Sequence, residues 1–193
     1  MGGGSRPGRH TALSIATAGI LLLACESFSA YAISGSTLPR NVIVPLGEVT
    51  RLFPDIVREA STGRNVTAAG SPQATRMVIY ETSDGSKKVT ITVDQYGSSS
   101  DASSAYKQAV QKSQSVPGFE SVRVPSLGQQ SFAGTTTMGA ETHVGLGALD
   151  HKLIVAATLA GYEATPDNAT KLVAVVRMQV AAAKRTVGPS GSR

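Results

Sequence analysis

Tryptophan is absent from this 193-residue chain, and cysteine occurs once, at Cys25. A single thiol cannot close an intrachain disulfide, so the fold has to be held by packing alone. Aromatic residues make up 5% of the chain and hydrophobic residues 41%, which implies a core of Val, Ala, Leu and Ile. Only 13 Asp and Glu are present, and they are spread along the chain, so a pair of carboxylates working as acid and base is not indicated. The 18 Lys and Arg exceed them, but the only adjacent basic pairs are Lys87-Lys88 and Lys184-Arg185. A nucleic-acid surface needs basic residues clustered on one face, and scattered charge of this kind excludes one. Missing too are a G-x-S-x-G elbow, a phosphate-binding P-loop and an H-E-x-x-H pair.

What the chain does have begins at its N-terminus. A flexible opening carries Arg6 and Arg9, an apolar run extends from Thr11 to Ala24, and Cys25 closes it. At about 14 residues the run suits an export signal and falls short of the ~20 that a bilayer-spanning helix requires. Three outcomes follow from this order. Leu22-Leu23-Ala24-Cys25 reads as a lipobox, in which Cys25 is acylated and the preceding residues are removed. Ala30-Tyr31-Ala32 reads as an A-x-A cleavage site that would release the chain from Ile33 onward. Retention of residues 11–33 would leave an uncleaved anchor. All three place the chain outside the cytoplasm, on the outer face of the membrane or secreted.

Behind the signal of residues 1–25, a spacer is expected over 26–45, a single domain over 46–186 and a disordered tail over 187–193. Val49, Leu52, Phe53, Ile56, Val57 and Ala60 recur at helical spacing, with Pro54 dividing two short helical pieces. A polar loop is expected over 61–75. Met77 to Tyr80 and Val89 to Val93 flank Ser83-Asp84-Gly85-Ser86, which is a hairpin pattern. Ser98 to Asp101 provides capping residues for a helix over about 102–114 with Ala102, Ala105, Tyr106, Ala109 and Val110 inward. Val122 and Val124, then Ser131 to Thr137, predict two further strands. A second hairpin pairs Glu141 to Leu146 with Lys152 to Leu159 and turns over Ala148 to His151. Thr165-Pro166 starts a final helix reaching Arg185, with Leu172, Val175, Val176, Gln179, Val180 and Ala183 as its apolar stripe. The expected class is α+β, with an antiparallel sheet of about five strands and two to three flanking helices in the order α-ββ-α-βββ-α.

That order, with Val124-Pro125-Ser126-Leu127-Gly128-Gln129-Gln130 ahead of the last hairpin, resembles a group of actinobacterial exported lipoproteins. The resemblance spans about residues 46–185 and implies a Mog1/PsbP-like α/β/α sandwich, similar also to the extracellular sensor domain of some mycobacterial receptor kinases. Gln129-Gln130 stand where that group has Asp-Glu, and the cysteines that staple the kinase sensors are missing. The resemblance implies an envelope protein and transfers no catalytic residue.

Three patterns remain as candidate chemistry. Ser104-Ala105-Tyr106-Lys107 fits S-x-x-K, which places a serine one helical turn from a lysine base. Its S-D-N and K-T-G companions are absent and both residues fall on the polar helix face, so it reads as solvated surface. Glu141 and His143 share a strand face and are metal-ligand candidates, although two ligands do not make a zinc site. Gly145-Leu146-Gly147 resembles part of a phosphate loop but precedes a hairpin instead of a helix, and reads as turn flexibility. The expectation is therefore a non-catalytic envelope domain, lipidated at Cys25, without cofactor, binding an envelope protein or a small apolar ligand. A secreted Ser/Lys hydrolase and a membrane-anchored accessory subunit are the alternatives.

Overall fold

Residues 36–62, 72–138 and 141–187 are described by a computed structural model of the chain. The element order is β1 (Ser36–Thr37), a 3-10 turn (Arg40–Val42), α1 (Leu46–Leu52), β2 (Arg58–Thr62), β3 (Ala74–Glu81), β4 (Lys88–Gln95), α2 (Ser99–Gln114), β5 (Phe119–Val122), β6 (Gln130–Met138), β7 (Glu141–Asp150), β8 (Leu153–Ala160) and α3 (Pro166–Val187). The class is α+β, as the pattern of hairpins and amphipathic helices required. The sheet has eight strands in place of about five, ordered β1-β3-β4-β8-β7-β6-β5, with β2 also on β3. All pairings are antiparallel except β1 with β3. β1 and β2 share one edge of β3, β1 beside Ala74–Thr75 and β2 beside Val78–Glu81.

Alternation along the strands assigns side chains to two faces. Val89, Ile91 and Val93 of β4 are fully buried on the face that α3 covers, together with Val144, Leu146 and Ala148 of β7 and Val155, Ala157 and Leu159 of β8. The opposite face carries a smaller core in which Ala102 and Tyr106 of α2 meet Leu149, Ile154 and Tyr96. Helices therefore lie on both sides of one sheet. The cap expected for α2 is present, since Ser98 Oγ accepts from the Asp101 amide at 3.0 Å. Thr165 Oγ1 accepts from Asn168 N at 3.2 Å ahead of Pro166, and α3 buries Leu172, Val175, Val176, Gln179, Val180, Ala182 and Ala183.

Several expectations change. The spacer assigned to 26–45 is, over its described part, core: Leu38, Val42, Ile43 and Val44 are at most 4% exposed. Its extended backbone finds partners in the domain, which a Ser-, Gly- and Pro-rich composition did not reveal. The fully buried Gln179 amide of α3 accepts from Val44 N at 2.9 Å and donates to Val42 O, and Tyr80 Oη donates to Val44 O at 2.6 Å. Residues 26–35 lie outside the described residues, as do the signal, Cys25 and the A-x-A site. Helical pattern beyond Pro54 gives way to β2, a strand whose sequence Arg-Glu-Ala-Ser-Thr has no apolar alternation because it lies at an edge. Of the loop predicted over 61–75, residues 61–62 belong to β2 and 74–75 to β3, and residues 63–71 lie outside the described residues. β5 covers 119–122 and stops short of Val124. β7 runs straight through Gly145 and Gly147 to Asp150, so these glycines are strand residues and the turn is His151-Lys152, with His151 at φ 53°. α3 extends to Val187, and 188–193 lie outside the described residues.

Candidate functional site

A groove of about 650 Å³ lies where the α3-covered face of the sheet meets the N-terminal half of that helix. Its floor is Thr135 of β6 and Val144 of β7. Val122, Val124 and Pro125, at and just past the end of β5, form one wall, and Ala169, Val173 and Ala174 of α3 form the other. The surface is therefore mainly aliphatic. It is open because the α3 side chains facing it are small or β-branched, whereas the larger Leu172 and Met178 point elsewhere into the packing.

Val124 to Gln130 shapes the β5 wall, and its local bonds explain the motif. Ser131 Oγ accepts from Leu127 N at 2.8 Å, Ser126 Oγ donates to Gly128 O at 2.8 Å, and Gln129 N donates to Leu149 O at 2.8 Å. Gln129 Oε1 then accepts from His151 N at 2.9 Å and ties the segment to the β7–β8 turn. A Cβ at Gly128 would stand 2.5 Å from Leu149 O, so only glycine permits this approach. The motif is a structural clamp that fixes where the groove wall runs.

Two cations border the groove, Arg123 on the β5 side and Arg177 on α3, and both are exposed. Among the described residues no acidic one lines it. The nearest acid by register is Glu120, the exposed cross-strand partner of Thr135, which is not among the lining residues.

A second, more polar depression of about 510 Å³ lies around Phe53, Asp55, Lys87, Tyr162 and Lys171. Asp55 accepts from Tyr162 Oη at 2.8 Å and from Lys87 Nζ at 2.8 Å, while Lys87 sits 5.0 Å over the Tyr162 ring. Burial alone would raise the Asp55 carboxyl, but the Lys87 and Tyr162 bonds outweigh it and hold it below its ordinary value. Burial and the Asp55 charge push the Tyr162 phenol up. These groups satisfy one another and tie α1's exit to β4 and the β8–α3 connection.

The candidate residues from the sequence are placed as follows. Glu141 and His143 do share a face of β7, with His143 Nε2 3.6 Å from Glu141 Oε2. His143 is 5% exposed and lies across from Thr136, whose buried Oγ1 has no hydrogen-bond partner. Among the described residues no three of His, Cys, Asp and Glu come together as a metal site would need. Ser104 and Lys107 are exposed on α2 and neither lines the groove. Cys25 lies outside the described residues. The groove itself was missed from sequence, although Val122 and Val124 were recognised and Ala169, Val173 and Ala174 continue a second apolar edge beside the main α3 stripe.

No family model and no curated protein matches the chain. Among solved structures, the extracellular domain of PknH from Mycobacterium tuberculosis matches with a TM-score of 0.56 at 11% identity, over 72% of this chain and 93% of that one. The likeness is one of fold. A GTP binding regulator from Thermotoga maritima aligns with a TM-score of 0.39 at 12% identity, over 73% of this chain and 93% of that one, too low to carry an argument. Among the described residues no helix is long and apolar enough to cross a membrane.

Proposed function

We propose that the chain is an exported, non-catalytic domain of the cell envelope, held to the membrane by an acyl group on Cys25, that binds a small apolar ligand in the groove beside α3. The groove carries this reading. It is mainly aliphatic, about 650 Å³ in volume and open to solvent, within the ~300–1,000 Å³ range of ligand sites. Support for export comes from the basic opening, the short apolar run and the cysteine that ends it. A fold shared with the extracellular domain of PknH agrees with that address. The resemblance of Val124-Pro125-Ser126-Leu127-Gly128 to the turn of exported actinobacterial lipoproteins agrees with it too.

The test uses the protein isolated from the envelope of an exporting host. N-phenyl-1-naphthylamine, an uncharged apolar fluorophore, is expected to bind saturably, and the lack of tryptophan keeps the background low. Ala174→Phe, which fills the groove from α3, is expected to weaken binding at least about tenfold at an unchanged melting temperature. Equal binding by the two proteins would remove the groove as the site. In the same host, an alkyne analogue of palmitate is expected to label the wild type and not Cys25→Ser, and an unlabelled wild type would remove the anchor.

A further inference from the structure

Resting on the groove as the ligand site, we propose that its occupant is an acyl-chain amphiphile with a phosphate head, the chain lying on the aliphatic floor and the head held by Arg123 and Arg177. The first observation is how the other cations are used. Arg40, Arg51 and Arg58 hold Glu59, Glu48 and Glu81, and Arg76 donates to the Leu38 carbonyl. Lys87, Lys171 and Lys184 hold Asp55, Asp167 and Asp150. Arg185 sits at the C-terminal end of α3, where the helix dipole favours it. Among the described residues no such partner holds Arg123 or Arg177, nor Lys88, Lys107, Lys112 or Lys152, and of these six cations only the two arginines border the apolar groove.

The second observation is what else in the groove could recognise a polar head. Thr165 Oγ1 already accepts from Asn168 N, and Thr170 Oγ1 already donates to Pro166 O at 2.8 Å. Thr170 thus has no proton to offer an anion, while Thr165 and the floor residue Thr135 can each add one neutral hydroxyl donor. The guanidinium groups are the charged donors of the lining, and no carboxylate among the lining residues opposes an anion there. A guanidinium presents a planar fork of donors that matches phosphate or carboxylate oxygens two at a time. Two such forks can use four acceptor positions. A carboxylate has two oxygens and a terminal phosphate three, so phosphate suits a pair of arginines better. The apolar part of the groove requires the rest of the ligand to be hydrocarbon, because an aliphatic wall gives nothing to a sugar or a peptide backbone.

The experiment displaces N-phenyl-1-naphthylamine from the envelope-purified protein with dodecyl phosphate, dodecanoate, dodecyl maltoside and dodecyltrimethylammonium, each below its micelle concentration. Dodecyl phosphate is expected to bind about tenfold or more tightly than the maltoside, with dodecanoate between and the ammonium weakest. In Arg123→Gln/Arg177→Gln, checked for an unchanged melting temperature, the phosphate-to-maltoside ratio is expected to fall to about one. Equal affinity for phosphate and maltoside in the wild type would overturn the phosphate head and leave the groove reading standing. A phosphate preference that survives in the double variant would overturn the role of the arginines. Displacement by inorganic phosphate alone would show a free-anion site instead of an amphiphile. If no amphiphile displaces the probe, both the head and the groove reading fall.

Discussion

Asp94 sits on β4 on the α2 side of the sheet, directly across from Thr75 and Ile154, and accepts a hydrogen bond from Thr75 Oγ1 at 2.7 Å. Its residual contact with solvent is partial, yet the surrounding protein removes much of its hydration. That desolvation pushes the carboxyl up to about 6, against the opposing pull of the Thr75 bond. The sign follows from proton counting. An unfolded chain ionises the same group near 3.9, so between about pH 4 and 6 the folded form holds more proton than the unfolded one. Raising pH through that window therefore lowers stability, and the penalty is complete above it. The ceiling is about 2–3 kcal/mol, and partial exposure reduces it to roughly 1 kcal/mol. Asp94→Asn, which keeps an acceptor for Thr75, is thus expected to be about 1 kcal/mol more stable than the wild type at pH 7.5 and nearly equal at pH 4. Denaturant midpoints of both proteins across pH 4 to 7.5 check this, and a difference that does not change with pH would refute it. The Gln179 amide shows the opposite use of a buried polar group. It is fully buried but satisfied on both sides by Val42 and Val44, so it fastens the N-terminal segment instead of straining it.

At the scale of elements, the Val124–Gln130 clamp is the feature whose disturbance reaches furthest. A methyl at Gly128 meets the Leu149 carbonyl, which is a β7 backbone atom and cannot rotate aside. Gly128→Ala should therefore move the segment away from the β7–β8 turn, with a cost of about 1–3 kcal/mol and a melting temperature several degrees lower. Gly47→Ala is the contrast, because the α1 site has nothing within 4 Å of the added Cβ. It is expected to gain about 0.5–1 kcal/mol by restricting the unfolded chain. Thermal melts of the pair decide the matter, and equal effects in both would count against a specific clash. The same elements show what was legible in the sequence. β3, β4 and β8 declared themselves because strands covered by a helix must carry apolar residues at period two, and α3 did so through its Leu172-Val175-Val176-Gln179 stripe. β1 and β2 did not, and β5 showed only through Val122, because short edge strands are stabilised by pairing with β3 or β6 and not by burying their own side chains. Gly134 of β6, the cross-strand partner of Gly145, shows what a strand glycine can serve: the ring of Phe119, stacked on Phe132 at 5.5 Å, fills the space a Cβ would need there. The groove was illegible because its lining comes from β5, β6, β7 and α3, which lie far apart in the sequence, with Arg123 and Arg177 at its two borders.

For the molecule as a whole, the consequential finding is that the folded body begins earlier than residue 46. Leu38, Val42, Ile43 and Val44 belong to the main core, and the segment they form lies along the C-terminal half of α3, with Thr186 Oγ1 donating to Asn41 O at 3.3 Å. Each of those side chains contributes about 1.5–3 kcal/mol when fully buried, so together they rival the ~5–15 kcal/mol by which a domain is stable at all. Without the segment, the Gln179 amide also loses both partners. A chain that starts at Ser36 is therefore expected to melt cooperatively, and one that starts at Leu46 to be unfolded or molten at 25 °C. Near-ultraviolet circular dichroism of the four tyrosines that both chains retain (Tyr80, Tyr96, Tyr106 and Tyr162), with a denaturant titration, distinguishes them. Equal midpoints for the two chains would show that the segment is dispensable. The same placement bears on attachment. Ser36 is the first described residue, and ten residues, 26–35, separate it from Cys25, a stretch that spans at most about 35 Å. Ser36 and Thr37 pair with Ala74 and Thr75 of β3, Asn41 then meets Thr186, and the α3 residues that line the groove end at Arg177, about 13 Å from Thr186 at 1.5 Å per residue. α3 thus carries the N-terminal segment along its C-terminal half and the groove along its N-terminal half, so in the proposed lipid-anchored form the groove would lie at the end of α3 opposite the Asn41–Thr186 contact.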